Sequence, residues 1–291
     1  METSELLKKV RKIEIKTKGL SRNIFAGEYH SAFKGRGMAF SEVREYQPGD
    51  DVRTIDWKVT ARLNHPYIKI FEEERELTIM LLIDVSGSKE FGTRHQLKQD
   101  LVTEVSAVLA FSAIQNNDKI GVIFFSDQIE KFIPPKKGKS HVLRIIRELI
   151  DFEPEHKTTD IAGALQYFAN VIKKRATAFM ISDFMDQGFD QAWRAAKNKH
   201  DLIALKVFDI RETELPDVGF LKVKDAETGN EVWVDTSSKK VRNAYKENWL
   251  RSEAYVEDLF KKSGTDYAKL RTDLSYVNPL MNLFKKREAG Y

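Results

Sequence analysis

Leu77-Thr78-Ile79-Met80-Leu81-Leu82-Ile83-Asp84-Val85-Ser86-Gly87-Ser88 decides how the rest of the chain is read. Its first part, Leu77 to Ile83, is a nearly continuous apolar run. Such a run predicts a strand buried on both faces of a parallel sheet, because alternation disappears when neither face meets water. The run stops at an aspartate, and Ser86 and Ser88 follow at every second position. Open α/β sheets bind ligands outside the carboxyl ends of their strands. The strand and the polar cluster at its end are therefore one signal.

Working outward, helical periodicity follows at Leu101, Val105, Val108 and Ser112, and Lys119–Phe125 reads as the next strand. Lys131-Phe132-Ile133 predicts a short edge strand stopped by Pro134-Pro135. Helical spacing returns at Val142, Ile145, Ile146 and Leu149, and again at Ile161, Ala164, Leu165, Phe168 and Ile172. Ala176–Ile181 is a strand ending in Ser182-Asp183, and Asp201–Phe208 is another. Strands alternating with helices imply βαβ units. The fold class is thus α/β: a Rossmann-like, mainly parallel sheet with helices on both faces. Phe220–Val223 and Val232–Val234 flank Glu227-Thr228-Gly229-Asn230 and form a β-hairpin insertion at about 213–237. A helix over Lys239–Lys262 points Val241, Tyr245, Trp249, Val256 and Leu259 inward. Tyr267–Leu270 and Val277–Lys286 supply a last strand and helix.

The α/β domain thus spans 77–291. Residues 1–76 differ. Leu6, Leu7, Val10 and Ile13 mark a short amphipathic helix. The stretch from Gly27 is rich in Gly, Arg, Asp and Glu, with a turn at Pro48-Gly49-Asp50-Asp51 and an alternating strand over Tyr67–Phe71, and it reads as β-rich.

The candidate site draws on three segments. Asp84, Ser86 and Ser88 end the first strand, Thr159 precedes the helix at Ile161, and Asp183 ends a later strand. Two carboxylates held together repel and raise a pKa, and a divalent cation removes that conflict. All five side chains are hard oxygen donors, which suits Mg²⁺ with its retained waters. Mn²⁺ and Ca²⁺ fit the same ligand type. Imidazole and thiolate are absent from the set, which argues against zinc.

At these residues the chain resembles the metal-ion-dependent adhesion site of von Willebrand factor A domains, with Asp84-x-Ser86-x-Ser88 first, Thr159 second and Asp183 third. The preceding segment is more particular. Gly35-Arg36-Gly37-Met38-Ala39-Phe40, then Arg44–Trp57 with Tyr46-Gln47-Pro48-Gly49-Asp50-Asp51 at its heart, then Ala61-Arg62, closely resemble a bacterial family named domain of unknown function fifty-eight. Members of that family are typically encoded beside MoxR-type AAA+ ATPases. The resemblance implies a MoxR-type ATPase and a client protein as partners, and a role in protein maturation or complex assembly. Arg44, Arg53 and Arg62 with Asp50, Asp51 and Asp56 can pair as a structural network or present a docking face.

Other classes find less support. Lys and Arg number 48 against 44 Asp and Glu, a net charge of +4. Nucleic-acid binders usually carry a concentrated basic footprint, so none is expected here. There is no cysteine, which removes disulfides and thiolate metal sites. No apolar stretch has the length of a transmembrane helix or a signal peptide, and the expected location is the cytoplasm without membrane insertion. Gly138-Lys139-Ser140 lacks the earlier glycine of a phosphate-binding loop. No G-x-S-x-G elbow occurs, and Ser86 stands where a haloacid-dehalogenase-like phosphatase carries its second aspartate. The expected function is a non-enzymatic, metal-dependent interaction adaptor. The alternatives are a metal-dependent phosphoryl-transfer or hydrolytic enzyme and a structural scaffold.

Overall fold

The computed structural model describes residues 13–14, 38–73, 76–87, 97–224 and 231–289. The expected helix before Ile13, Ser88 and the Glu227–Asn230 tip lie outside these residues. The chain forms two compact units, one over Phe33–Leu77 and one joining Met1–Ala32 to Thr78–Tyr291.

In the smaller unit, β1 (Met38–Glu45) pairs antiparallel with β2 (Tyr67–Glu73), with a bulge between Phe40 and Glu42. A short 3-10 turn over Val52–Thr54 and α1 (Trp57–Leu63) connect them. The Asp56 carboxylate caps α1 by accepting from the Lys58 and Val59 N–H groups, and Asn64 ends it in the left-handed conformation. That cap is why a helix stands where turns and strands alone were expected.

The larger unit is built on six strands in the order β10-β7-β6-β3-β4-β5. These are β3 (Thr78–Asp84), β4 (Lys119–Phe125), β5 (Ile129–Lys136), β6 (Thr177–Ser182), β7 (Asp201–Phe208) and β10 (Asp266–Arg271). All neighbours run parallel except β4 and β5. The expected mainly parallel α/β sheet is the observed one. Ile79 to Ile83 in central β3 are almost wholly buried, each contributing about 1.5–3 kcal/mol by leaving water.

Met80 and Leu82 point to one face. There they join Ile161, Leu165 and Phe168 of α4 (Ile161–Val171), Trp193 of α5 (Asp190–Lys199), and Val256, Leu259 and Phe260 of α7 (Lys239–Lys262). Successive strand residues face opposite sides, so Ile79, Leu81 and Ile83 face the other layer. α2 (Lys98–Gln115) packs with α3 (Lys139–Asp151) and with β3, β4 and β7. Nearly every side of α2 is buried, including Leu101, Val105, Val108 and Leu109, as befits a helix that is apolar all round. A four-residue helix, α6 (Ile210–Thr213), follows β7, and α8 (Val277–Ala289) packs on β10.

Further departures from expectation lie in this unit. β5 does not stop at Pro134-Pro135 but runs through both prolines to Lys136. It is the sheet's antiparallel edge, where a missing N–H costs no ladder bond on the open side. Tyr245 does not point into the core; it is 37% exposed. Helix α5 was not anticipated at all. The hairpin is present as β8 (Phe220–Lys224) paired with β9 (Glu231–Asp235). Its base is closed by Thr236, whose N–H and hydroxyl both donate to Gly219 O.

Candidate functional site

Asp84 is the last residue of β3 and is nearly buried. Its Oδ1 accepts from the Ser86 N–H at 3.0 Å, and its Oδ2 accepts from the Ser182 hydroxyl at 2.7 Å. Ser182 ends β6, the parallel neighbour of β3, so sheet register places it there. Burial, then the charge of Asp183, pushes the Asp84 carboxyl up to about 6, against the opposing hydrogen bonds from Ser182 and Ser86.

Asp183 follows Ser182, and its Oδ1 accepts from the Met185 N–H at 3.3 Å. The next residue, Phe184, takes φ 54. The left-handed region is costly for a bulky side chain, about 1–3 kcal/mol, and persists where surroundings enforce it. Here Phe184 is fully buried, its ring touches those of Phe189, Trp193 and Phe260, and its N–H donates to Ser182 Oγ at 3.0 Å. An aromatic anchor below thus fixes the turn that carries Asp183.

The loop bearing Thr159 is tied to the same place. The Gly87 N–H donates to Lys157 O at 2.9 Å, and the Asp160 N–H to Ser126 O at 2.9 Å. Thr158 donates its hydroxyl to Asp127 at 2.7 Å. Asp160 caps α4 through the Gly163 N–H, while Asp186, beyond β6, accepts from the Ile161 N–H at 2.9 Å. Asp84, Ser86, Ser182 and Asp183 therefore adjoin one another, and backbone bonds hold the Thr159 loop beside Gly87. Ser88 lies outside the described residues.

Two charged residues in this cluster were not anticipated. Lys98, in the first turn of α2, donates to Asp183 Oδ2 at 3.1 Å and pairs with Glu212. Its side chain is only 3% exposed. Burial works against its charge, but Asp183 and Glu212 outweigh burial and raise its pKa. Glu212, on α6, also accepts from the Asp209 N–H in a capping box. Its carboxyl is raised by burial, with Lys98 opposing. Asp209 in turn accepts from the Thr272 hydroxyl just after β10. One polar network thus crosses the carboxyl ends of β3, β6, β7 and β10. The capping box was visible as Asp209-x-x-Glu212. A lysine in the first turn of an apolar helix, where the dipole disfavours a cation, was the available hint of Lys98.

The donor set is chemically suited to a hard divalent cation: carboxylates from Asp84 and Asp183, and hydroxyls from Ser86 and Thr159. Among the described residues, no three His, Cys, Asp or Glu side chains gather in a metal-holding group. Hydroxyls and water would have to complete the sphere.

The second set of candidates separates. Arg44 forms a two-pronged pair with Asp50 at 2.7 Å on each arm, which draws the Asp50 carboxyl below its usual range. Asp56 pairs with Lys69 and Asp51 caps the 3-10 turn. Among the described residues the Arg53 and Arg62 side chains take no part in an ion pair. Among the described residues, the arginine–carboxylate pairing of this segment is the Arg44–Asp50 staple.

The mainly parallel sheet with helices on both faces defines an α/β fold of the von Willebrand factor A-like kind. Residues 42–255 match the family described as protein of unknown function DUF58, and the chain belongs to that family. The uncharacterized protein Rv1480 of Mycobacterium tuberculosis is 28% identical over 295 residues, covering all of this chain and 92% of the relative. The uncharacterized protein YeaD of Bacillus subtilis is 29% identical over 109 residues, 38% of this chain and 25% of that protein. A solved structure described as an aerotolerance-related membrane protein from Bacteroides fragilis superposes with a TM-score of 0.50 at 15% identity. It covers 74% of this chain and all of the solved one, and the likeness is one of fold. Among the described residues of this chain, no helix is long and apolar enough to cross a membrane.

Proposed function

We propose that this protein is a metal-dependent interaction adaptor that works with a MoxR-type AAA+ ATPase in the cytoplasm and presents client proteins to it. The observation that supports the reading is the gathering of Asp84, Ser86 and Asp183 at the ends of adjacent strands, with the Thr159 loop bonded alongside. Asp84, Ser86, Thr159 and Asp183 would hold the ion, with Mg²⁺ preferred over Mn²⁺ or Ca²⁺. When bound, the ion supplies a Lewis-acidic position that a partner's Asp or Glu can enter in place of water. The chain's own residues set the geometry: Ser182 and the Ser86 N–H orient Asp84, and the Met185 N–H orients Asp183.

The test is a titration of the MoxR-type ATPase from the same organism against wild type and Ser86→Ala, each in Mg²⁺ and in chelator. We expect affinity to fall about tenfold or more, the worth of one lost directional contact, in both the variant and the chelator, with unchanged circular dichroism. Equal affinities in all arms would move the docking face away from this site.

One observation favours a second reading, a metal-dependent hydrolytic or phosphoryl-transfer enzyme. His156 Nδ1 lies 3.0 Å from Asp127 in the loop that carries Thr159, an arrangement that orients an imidazole as a general base.

A further inference from the structure

We propose that Lys98 is a resident cation of the metal site, which sets the charge the site demands to that of one divalent ion and keeps binding reversible. The proposal rests on the metal-site reading and adds to it a residue that never has to touch the metal.

Lys98 has no local reason to be where it is. It sits at the N-terminal end of an 18-residue helix, with its side chain 97% removed from solvent. A buried ammonium is costly unless paired, and the helix dipole at this end opposes it further. The site supplies the compensation through Asp183 on one side and Glu212 on the other. Those carboxylates are themselves fixed, Asp183 by the Met185 N–H and Glu212 by the Asp209 N–H. The ammonium is therefore held between two carboxylates that backbone N–H groups orient.

Asp183 is the shared member. It belongs to the proposed ligand set and is also the lysine's partner. Around the ammonium itself, Asp183, Glu212 and, beside Asp183, Asp84 set three carboxylates against one positive charge, while the Asp209 carboxylate farther along the network is held by the Thr272 hydroxyl and the Arg211 N–H. With all ionised, two negative charges remain, which one divalent cation cancels. Without the lysine three would remain, and the apo protein would hold that repulsion among largely buried side chains. Lys98 thus allows the fold to persist when the ion leaves, and its repulsion of an incoming cation weakens the site.

A purely structural lysine would lose stability on removal and nothing more. The charge argument makes opposite predictions for two substitutions and a cancellation for their sum. The experiment measures Mn²⁺ affinity of the full chain by electron paramagnetic resonance, with Mg²⁺ competition, for wild type, Lys98→Met, Glu212→Gln and the double variant. Circular dichroism confirms folding of each. Removing one charge from the neighbourhood of a divalent ion is expected to change affinity about tenfold or more. Lys98→Met binds more tightly, Glu212→Gln more weakly, and the double variant returns to within about threefold of wild type. If wild type binds and Lys98→Met binds equally or less tightly, the resident-cation proposal fails while the metal site stands. If Lys98→Met does not fold, an unchanged affinity in Glu212→Gln overturns the proposal by itself. If neither wild type nor any variant binds at millimolar metal, the metal-site reading fails and takes this proposal with it.

Discussion

His200 shows how one buried side chain ties stability to pH. It is 1% exposed at the C-terminal end of α5, its ring lies 4.3 Å from that of Phe168, and its Nδ1 accepts from the Ala176 N–H at 3.3 Å. Nδ1 is the acceptor, so the proton sits on Nε2, and a second proton has nowhere to go. Burial, then the charges of Lys199 and Arg175, pulls its pKa from 6.5 down to about 4. The folded state therefore holds the neutral ring while the unfolded chain takes up a proton below 6.5. The stability this contributes is complete above 6.5 and is lost as pH falls from 6.5 toward 4, with about 2 kcal/mol gone by pH 5. Urea unfolding of wild type and His200→Gln at pH 7 and pH 5 checks this. The variant should lose much less stability between the two pH values, and an equal loss in both proteins would place the acid sensitivity elsewhere. Asp84, Ser86 and Asp183 were readable in the sequence because each lies within two residues of a strand end. Ser182 was readable only as a strand end, since its partner Asp84 lies 98 residues away.

At the scale of elements, the edge of the sheet rests on Gly121 in β4. A Cβ there would lie 2.8 Å from Ile133 O and from Pro135 N, and 2.9 Å from the Met80 sulfur. The first two are backbone atoms of β5 and cannot swing aside. The close approach coincides with the register shift between Ile120 and Val122, which accommodates the two prolines. Gly121→Ala is expected to cost about 1–3 kcal/mol, the usual penalty for overpacking. Denaturant unfolding should show a lower midpoint with an unchanged slope; a midpoint within error of wild type would mean that β5 yields easily. The same strand marks a limit of sequence reading. Prolines stop a central strand but not an outer one, and which strand is outermost is a property of the sheet order. Helix α5 was illegible for another reason: it buries only Trp193 and Ala196, too few apolar positions to show a period. The first half of α7 misled in the opposite direction. Tyr245 keeps the helical spacing of a core residue, yet it caps the polar network by reaching Arg211 O at 3.5 Å.

Across the whole molecule, the apolar runs announced the parallel sheet because a strand covered on both faces cannot alternate. The charges that complete the site were not announced, because Lys98 and Asp183 are 85 residues apart and meet only once β3, β6 and α2 have packed. That packed arrangement also bears on catalysis. A nucleophile or general base must reach the reacting atom in the required protonation state. Both oxygens of Asp84 already accept hydrogen bonds, and its buried position leaves little approach for in-line attack. Lys98, raised and doubly paired, stays an ammonium and offers no lone pair. His141 is turned to Ile120 O, and His200 lies at the opposite end of the sheet beside the start of β6. Among the described histidines of the larger unit, that leaves His156, partly exposed and paired with Asp127, as the base an enzyme here would use. We therefore expect the chain alone to show no turnover of ATP, GTP or phosphomonoesters in millimolar Mg²⁺ or Mn²⁺. The assay follows phosphate release from wild type beside Asp84→Ala and His156→Ala. Background rates shared by all three support the adaptor. A wild-type rate that disappears in both variants would instead establish metal-dependent hydrolysis, with His156 as its base.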